Sequence, residues 1–203
     1  MKKSFSFPII FMVLITAFFT VILAFLNYST TDVIAYNQET ELRKTLLYVF
    51  NIEAPYQESK TVEETFNKYI SEGTLKGKKV YISKEEDNII GYAFPIRGTG
   101  LWGTVEGFAA VSDDFSELLG IDFVSHSETP GLGGRISEDW FKEQFRGLKL
   151  TDTNNGNYII YKPAPGGNVD AIAGATLTSK SVSNFMNEDI YNFIKENKDK
   201  GGN

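Results

Sequence analysis

The chain has 203 residues, 42% of them hydrophobic and 14% aromatic, which is enough to bury one ordinary core with a segment to spare and excludes a disordered chain. With no cysteine, it can form no disulfide, thiolate metal site, iron–sulfur ligation or sulfur-tethered flavin, and one histidine, His126, leaves no multi-histidine centre. A net charge of −6 argues against nucleic acid as a partner, because that binding rests on Lys and Arg neutralising phosphates.

Residues 7–26 read FPIIFMVLITAFFTVILAFL, about 20 residues without a charge, which suits one crossing of a bilayer about 30 Å thick. A cleaved signal peptide has a shorter apolar run, about 7 to 15 residues, and a small-x-small exit; here the run ends Ala24-Phe25-Leu26-Asn27. An uncleaved anchor is therefore expected. Lys2 and Lys3 precede it and the first charge beyond is Asp32, so residues 1–6 are expected in the cytoplasm and the remainder on the periplasmic or exterior side of an inner membrane. Residues 27–37, polar and β-branched, read as a stalk leading to a domain over 38–203.

In the outer portion, Leu42, Leu46, Leu47 and Phe50 recur at helical spacing within 39–50, and a short helix is expected over 62–70. Runs suited to strands follow at 79–83, 88–95, 104–111 and 118–125, punctuated by Gly, Asp and Asn. A brief helix over 140–145 is introduced by Ser137, and 158–162 and 169–172 read as further strands. From Thr178, an apolar stripe of Val182, Phe185, Met186, Ile190, Phe193 and Ile194 predicts a closing helix that ends in a Lys/Asn/Gly tail. The class is α+β: one transmembrane helix, then a mostly antiparallel sheet flanked by helices.

Two glycine-rich stretches stand out. Gly98-Thr99-Gly100-Leu101-Trp102-Gly103 matches G-x-G-x-x-G formally, with Asp122 about 20 residues on, but that fingerprint must open a helix and here a strand-like run follows. The better reading is a turn between strands, with Trp102 either a stacking surface for a planar ligand or a core residue. In Glu128-Thr129-Pro130-Gly131-Leu132-Gly133-Gly134, Pro-Gly suits a type II turn and the later glycines leave main-chain groups uncovered. Such a loop can approach a flat ligand, with Leu132 as an apolar contact, or be an ordinary surface turn. His126 reads as a hydrogen-bonded strand residue rather than a catalyst.

The sharpest segment is Asp170-Ala171-Ile172-Ala173-Gly174-Ala175-Thr176-Leu177-Thr178-Ser179, where small residues lead into hydroxyls at a helix start. Unpaired amides there favour a phosphate, and a hydroxyl could be esterified to one; Thr176, Thr178 and Ser179 could equally be plain helix caps.

DAIAGAT resembles the flavinylation motif of the FMN-binding subunits of the sodium-pumping NADH:quinone oxidoreductase (its C subunit) and the Rnf complex (its G subunit), and ETPGLGG resembles that family's second signature. The resemblance implies an extracytoplasmic FMN-binding domain and an FMN phosphate esterified to Thr176 by a flavin transferase that uses FAD. It implies further cofactor contacts from Trp102, Glu128, Thr129, Gly131, Leu132, Gly133, Asp170, Gly174, Ala175, Leu177 and Thr178, with no metal and no catalytic side chain. It also implies other membrane subunits as partners in ion-coupled electron transfer; the alternative is a stand-alone extracytoplasmic flavin carrier without pumping. Ala173 departs from the pattern, standing where the family usually has Ser or Thr. The GLWG turn and Trp140 resemble the C subunit more closely, and the compact length the G subunit.

Overall fold

A computed structural model describes residues 6–54, 58–86, 88–151 and 156–198. Lys2 and Lys3, on which the expected orientation rests, and the tail after Lys198 lie outside the described residues. The chain forms two compact units, Met1–Thr40 and Glu41–Asn203.

The first unit is helical. Helix α1 (Ser6–Val49) is, among the described residues, the one helix long and apolar enough by length and composition to cross a membrane. The segment 27–37 continues this helix. Its hydroxyls would compete for backbone groups in an extended chain, but here they turn back one turn: Ser29, Thr30 and Thr31 donate to the carbonyls of Phe25, Leu26 and Asn27 at 2.8, 2.9 and 2.6 Å.

In the second unit, α1 stops in a Schellman arrangement. Asn51 takes a left-handed φ of 57°, its N–H donates to Tyr48 O at 2.9 Å, and the N–H of Ile52 donates to Leu47 O at 2.9 Å. Helix α2 (Ser59–Tyr69) follows, then strands β1 (Ile70–Leu75), β2 (Lys78–Glu85), β3 (Asn88–Thr99), β4 (Thr104–Ser112) and β5 (Glu117–Ser125). After β5 come a 3-10 turn (Gly133–Ser137), α3 (Asp139–Lys142), a second 3-10 turn (Glu143–Phe145), β6 (Leu148–Lys149) and α4 (Thr176–Lys198). The six strands form one sheet in sequence order, every pair antiparallel.

Alternation along the strands splits the core into two layers. Val80, Phe94, Ile96, Ala109 and Val111 pack with α4 and with Ile136, Phe141, Phe145, Leu150, Ile159 and Ile172, while Tyr81, Ala93 and Ala110 pack with Leu46, Leu47 and Phe50 at the end of α1 and with Val62 and Phe66 of α2. All six apolar residues of the α4 stripe are buried, with Phe193 stacked on Phe94 at a centroid distance of 3.8 Å.

A strand, β1, stands where none is expected from the sequence, and two expectations need correction. Strand β1 contains Ser, Glu and Gly and carries no strand signal of its own; it pairs with β2 because Lys76 (φ 46°) and Gly77 (φ 84°) form a two-residue turn whose positive φ angles match hairpin twist. The stretches 158–162 and 169–172 are not strands, and only Tyr161 and Val169 bridge. Two asparagines take up the backbone instead: Asn187 Oδ1 accepts from the N–H groups of Tyr158 and Ile159 at 3.0 and 2.9 Å, and Asn168 Oδ1 accepts from that of Ile160 at 3.0 Å. Ser137 does not cap α3; its hydroxyl bonds His126 Nε2 at 2.9 Å.

Candidate functional site

The G-x-G-x-x-G stretch is the β3–β4 hairpin. Thr99 faces Thr104 in register, and the N–H of Gly100 donates to Gly103 O at 2.7 Å, so no helix follows the glycines and the dinucleotide reading falls. The turn holds Trp102 out, 69% exposed, which settles it as surface rather than core.

The second glycine loop forms the expected type II turn. The N–H of Leu132 donates to Thr129 O at 3.1 Å, Gly131 has φ 74°, and the N–H of Gly134 bonds the same carbonyl at 2.9 Å. Glu128, which opens the loop, is only 4% exposed. Its Oε1 accepts from the N–H groups of Leu101 and Trp102 at 2.8 and 3.0 Å, and its Oε2 accepts from Thr178 Oγ1 at 2.5 Å. Burial pushes its carboxyl up, but these hydrogen bonds, from Thr178 first, together with the nearby His126, hold it below the usual carboxylate range. His126 Nδ1 accepts from the N–H of Glu128 at 3.2 Å, so the ring braces the loop.

At the start of α4, three hydroxyls have three fates. Thr178 is spent on Glu128, and Ser179 Oγ accepts from the N–H of Ile172 at 3.0 Å; both residues are 1% exposed. Thr176 is exposed, is the first residue of the helix, and has no side-chain hydrogen bond among the described residues. None of the three caps α4 in the simple sense, which corrects that alternative. Ala175, before the helix, donates to Ile172 O and accepts from Ser179 N–H, leaving the amides of Thr176, Leu177 and Thr178 without acceptors inside the helix. Gly174 turns the chain into it with φ 78°, close against Leu132: a Cβ there would lie 3.3 Å from Leu132 Cδ2.

The apolar rim was only partly legible. Leu132 (46% exposed), Leu177 (62%) and Trp102 were expected; Leu101 (49%), beside Trp102, was not, although its place inside the G-x-G-x-x-G turn was the available signal. Asp170 is engaged elsewhere, its carboxylate 3.4 Å from Lys162 Nζ and its N–H donating to Gln144 Oε1 at 2.7 Å. The structure therefore joins the Trp102 turn, the Glu128–Gly133 loop and the first turn of α4 into one site, with Asp170 tied to Lys162 and Gln144.

An exposed hydroxyl beside free helix amides suits a phosphate, and a rim of Trp and Leu side chains suits a flat aromatic ring. Over the same region, residues 100–190 match the family described as FMN-binding domain. The chain thus combines one helix long and apolar enough for a membrane with a segment, residues 100–190, that is similar to the FMN-binding domain.

Its relatives are more particular. The chain is similar to the C subunit of the Na(+)-translocating NADH-quinone reductase of Vibrio anguillarum, 40% identical over 108 residues covering 51% of this chain and 42% of that protein. The Neisseria meningitidis counterpart is 39% identical over 113 residues, covering 53% and 43%. The match thus spans less than half the length of these relatives. The crystal structure of the corresponding protein from Parabacteroides distasonis superposes with a TM-score of 0.68 at 25% identity, over 80% of this chain and 94% of that one. That of Shewanella oneidensis NqrC, at 19% identity and TM-score 0.64 over 78% and 98%, shares the fold. The similarity to the quinone-reductase C subunit expected from the two motifs is borne out.

Proposed function

We propose that this chain is a membrane-anchored flavoprotein subunit of a Na+-translocating NADH:quinone reductase, with FMN joined through its phosphate to Thr176. The observation that carries this reading is the sorting of hydroxyls at α4: of Thr176, Thr178 and Ser179, only the first is exposed and unspent. The amides of Thr176, Leu177 and Thr178, which have no acceptors inside the helix, would hold the phosphate, and the positive end of the helix dipole favours its charge. The exposed Trp102, Leu101, Leu132 and Leu177 would hold the ring, the Thr129–Gly133 loop would offer main-chain groups, and Gly174 and Ala175 leave room beside the acceptor.

FMN, when bound, supplies one- and two-electron chemistry; the protein holds it, tunes it and excludes other reactions. The ester keeps it from being lost on the outer face, where a 1 μM site, worth about 8.2 kcal/mol, would empty in scarce flavin.

Residues 7–26 span the membrane, 1–6 stay in the cytoplasm, and 27–37 form a helical stalk that carries the domain 38–203 on the periplasmic or exterior side. The partners are the other membrane subunits and, during maturation, a flavin transferase that draws on FAD. Ala173, which stands where the family usually has Ser or Thr, is exposed in the approach to α4.

Coexpression with the transferase tests the reading. The full chain should give a fluorescent band after denaturing electrophoresis, and Thr176→Ala should abolish it; a band that survives the substitution overturns the assignment of Thr176.

A further inference from the structure

We propose that Glu128 is a positioning residue: its buried carboxylate braces the Trp102 turn to the first turn of α4, so that the ring platform and the attachment hydroxyl are held as one unit. This rests on the reading of Thr176 as the flavin acceptor.

Glu128 is separated from its partners by 26 to 50 positions in sequence, so its three hydrogen bonds join segments that no local structure would hold together. One carboxylate oxygen closes the two N–H groups at the tip of the β3–β4 hairpin; the other takes the hydroxyl of Thr178, two residues past Thr176 on α4. At 4% exposure the group is screened from water, where charge-assisted bonds of this kind are strongest and unpartnered donors most costly.

The surrounding glycines keep space for it. A Cβ at Gly133 would lie 2.6 Å from both Glu128 Oε2 and Thr178 Oγ1, and one at Gly100 would strike Glu128 Oε1. Two glycines on separate loops thus leave the same carboxylate room, and neither position has the positive φ that would otherwise demand glycine. Three of the carboxylate's roughly four acceptor sites are taken by protein donors, so its effect reaches the flavin through the placement of Trp102 and Thr176.

The test uses the full chain in detergent, purified from cells without the transferase, in a Trp140→Phe background so that Trp102 is the single tryptophan. Slow tumbling of the micelle makes its fluorescence anisotropy a report on the turn. Glu128→Ala and Thr178→Val should each lower that anisotropy, and Thr178→Ser, which keeps the hydroxyl, should restore it. On adding transferase and FAD, both loss variants should label at least about tenfold more slowly, the factor equivalent to losing about 1.4 kcal/mol. Ile190→Val, a core change in α4 remote from the carboxylate, sets the labelling rate expected from general loosening alone.

Unchanged Trp102 anisotropy in Thr178→Val, or equal slowing in Ile190→Val, would overturn the proposal. Because Thr178→Val removes a single hydroxyl, it decides the matter even where Glu128→Ala fails to fold. Label found on a residue other than Thr176 would instead defeat the functional reading, while the anisotropy of the unlabelled chain would still judge the brace.

Discussion

Helix α4 holds two regions that obey different rules. Its body buries Val182, Phe185, Met186, Ile190, Phe193 and Ile194 against the sheet, a periodic stripe whose role is to fill the core. Its first turn breaks that pattern: Thr176 and Leu177 are exposed, while the polar Thr178 and Ser179 are buried and hydrogen-bonded to distant backbone and side chain. The body stabilises the domain, and the first turn spends buried hydrogen bonds on arranging a surface. Substitutions in the two regions should accordingly separate stability from flavin attachment.

The widest separation comes from the body. Met186→Ala and Ile190→Ala, at fully buried positions, should each cost about 2 to 5 kcal/mol in chemical denaturation. Thr176→Ala should change stability by less than about 0.5 kcal/mol, since it removes an exposed hydroxyl without a partner, yet eliminate attachment. A comparable loss of stability at Thr176 and Ile190 would erase the distinction.

Gly133→Ala sharpens it from the other side, because the new methyl would intrude between Glu128 and Thr178. It should cost about 1 to 3 kcal/mol and also slow labelling, which no α4 body variant of equal stability should do.

A smaller, pH-dependent effect belongs to a third place, away from both. The Glu143 carboxyl is held down to about 2, first by its hydrogen bonds to Arg146 and then by the Tyr48 hydroxyl, against the opposing pull of burial. A carboxyl depressed in the fold contributes stability above its unfolded value, and that contribution is lost as pH falls through about 4.5 towards 2. Glu143→Gln should therefore flatten that acid limb of the stability profile and leave flavin attachment at neutral pH unchanged. An identical acid limb in the variant would contradict the assignment. Least of all, Ser29→Ala in α1 should shift stability by less than about 0.5 kcal/mol, because its hydroxyl duplicates a helix bond already made.

Elements with a strong period were legible in the sequence: four central strands, α2, the short helix near Trp140 and the stripe of α4 all lie where apolar spacing puts them. What escaped depends on long-range partners. Strand β1 takes its conformation from a hairpin turn, and the extended-looking 158–162 is claimed by the amides of Asn168 and Asn187, one of them 28 or 29 positions away. At the site, the motif residues were visible as a string, but their division of labour was not. Glu128 reads as a cofactor contact in the sequence, and its three hydrogen bonds add the role of a link between segments; Gly100 reads as part of a turn, and a Cβ there would meet both the Glu128 carboxylate and, at 2.9 Å, Val105 Cγ2. Hydrogen-bond geometry between residues up to 50 positions apart has no signature in one-dimensional spacing.

The central claim is a covalent bond at one hydroxyl, and peptide mapping of the full chain matured with its transferase addresses it directly. Fragmentation of the coloured peptide should place the mass of FMN less one water on Thr176 and leave Thr178 and Ser179 unmodified. Label on either of those two buried hydroxyls, or an unmodified peptide from a fully coloured protein, would contradict the account.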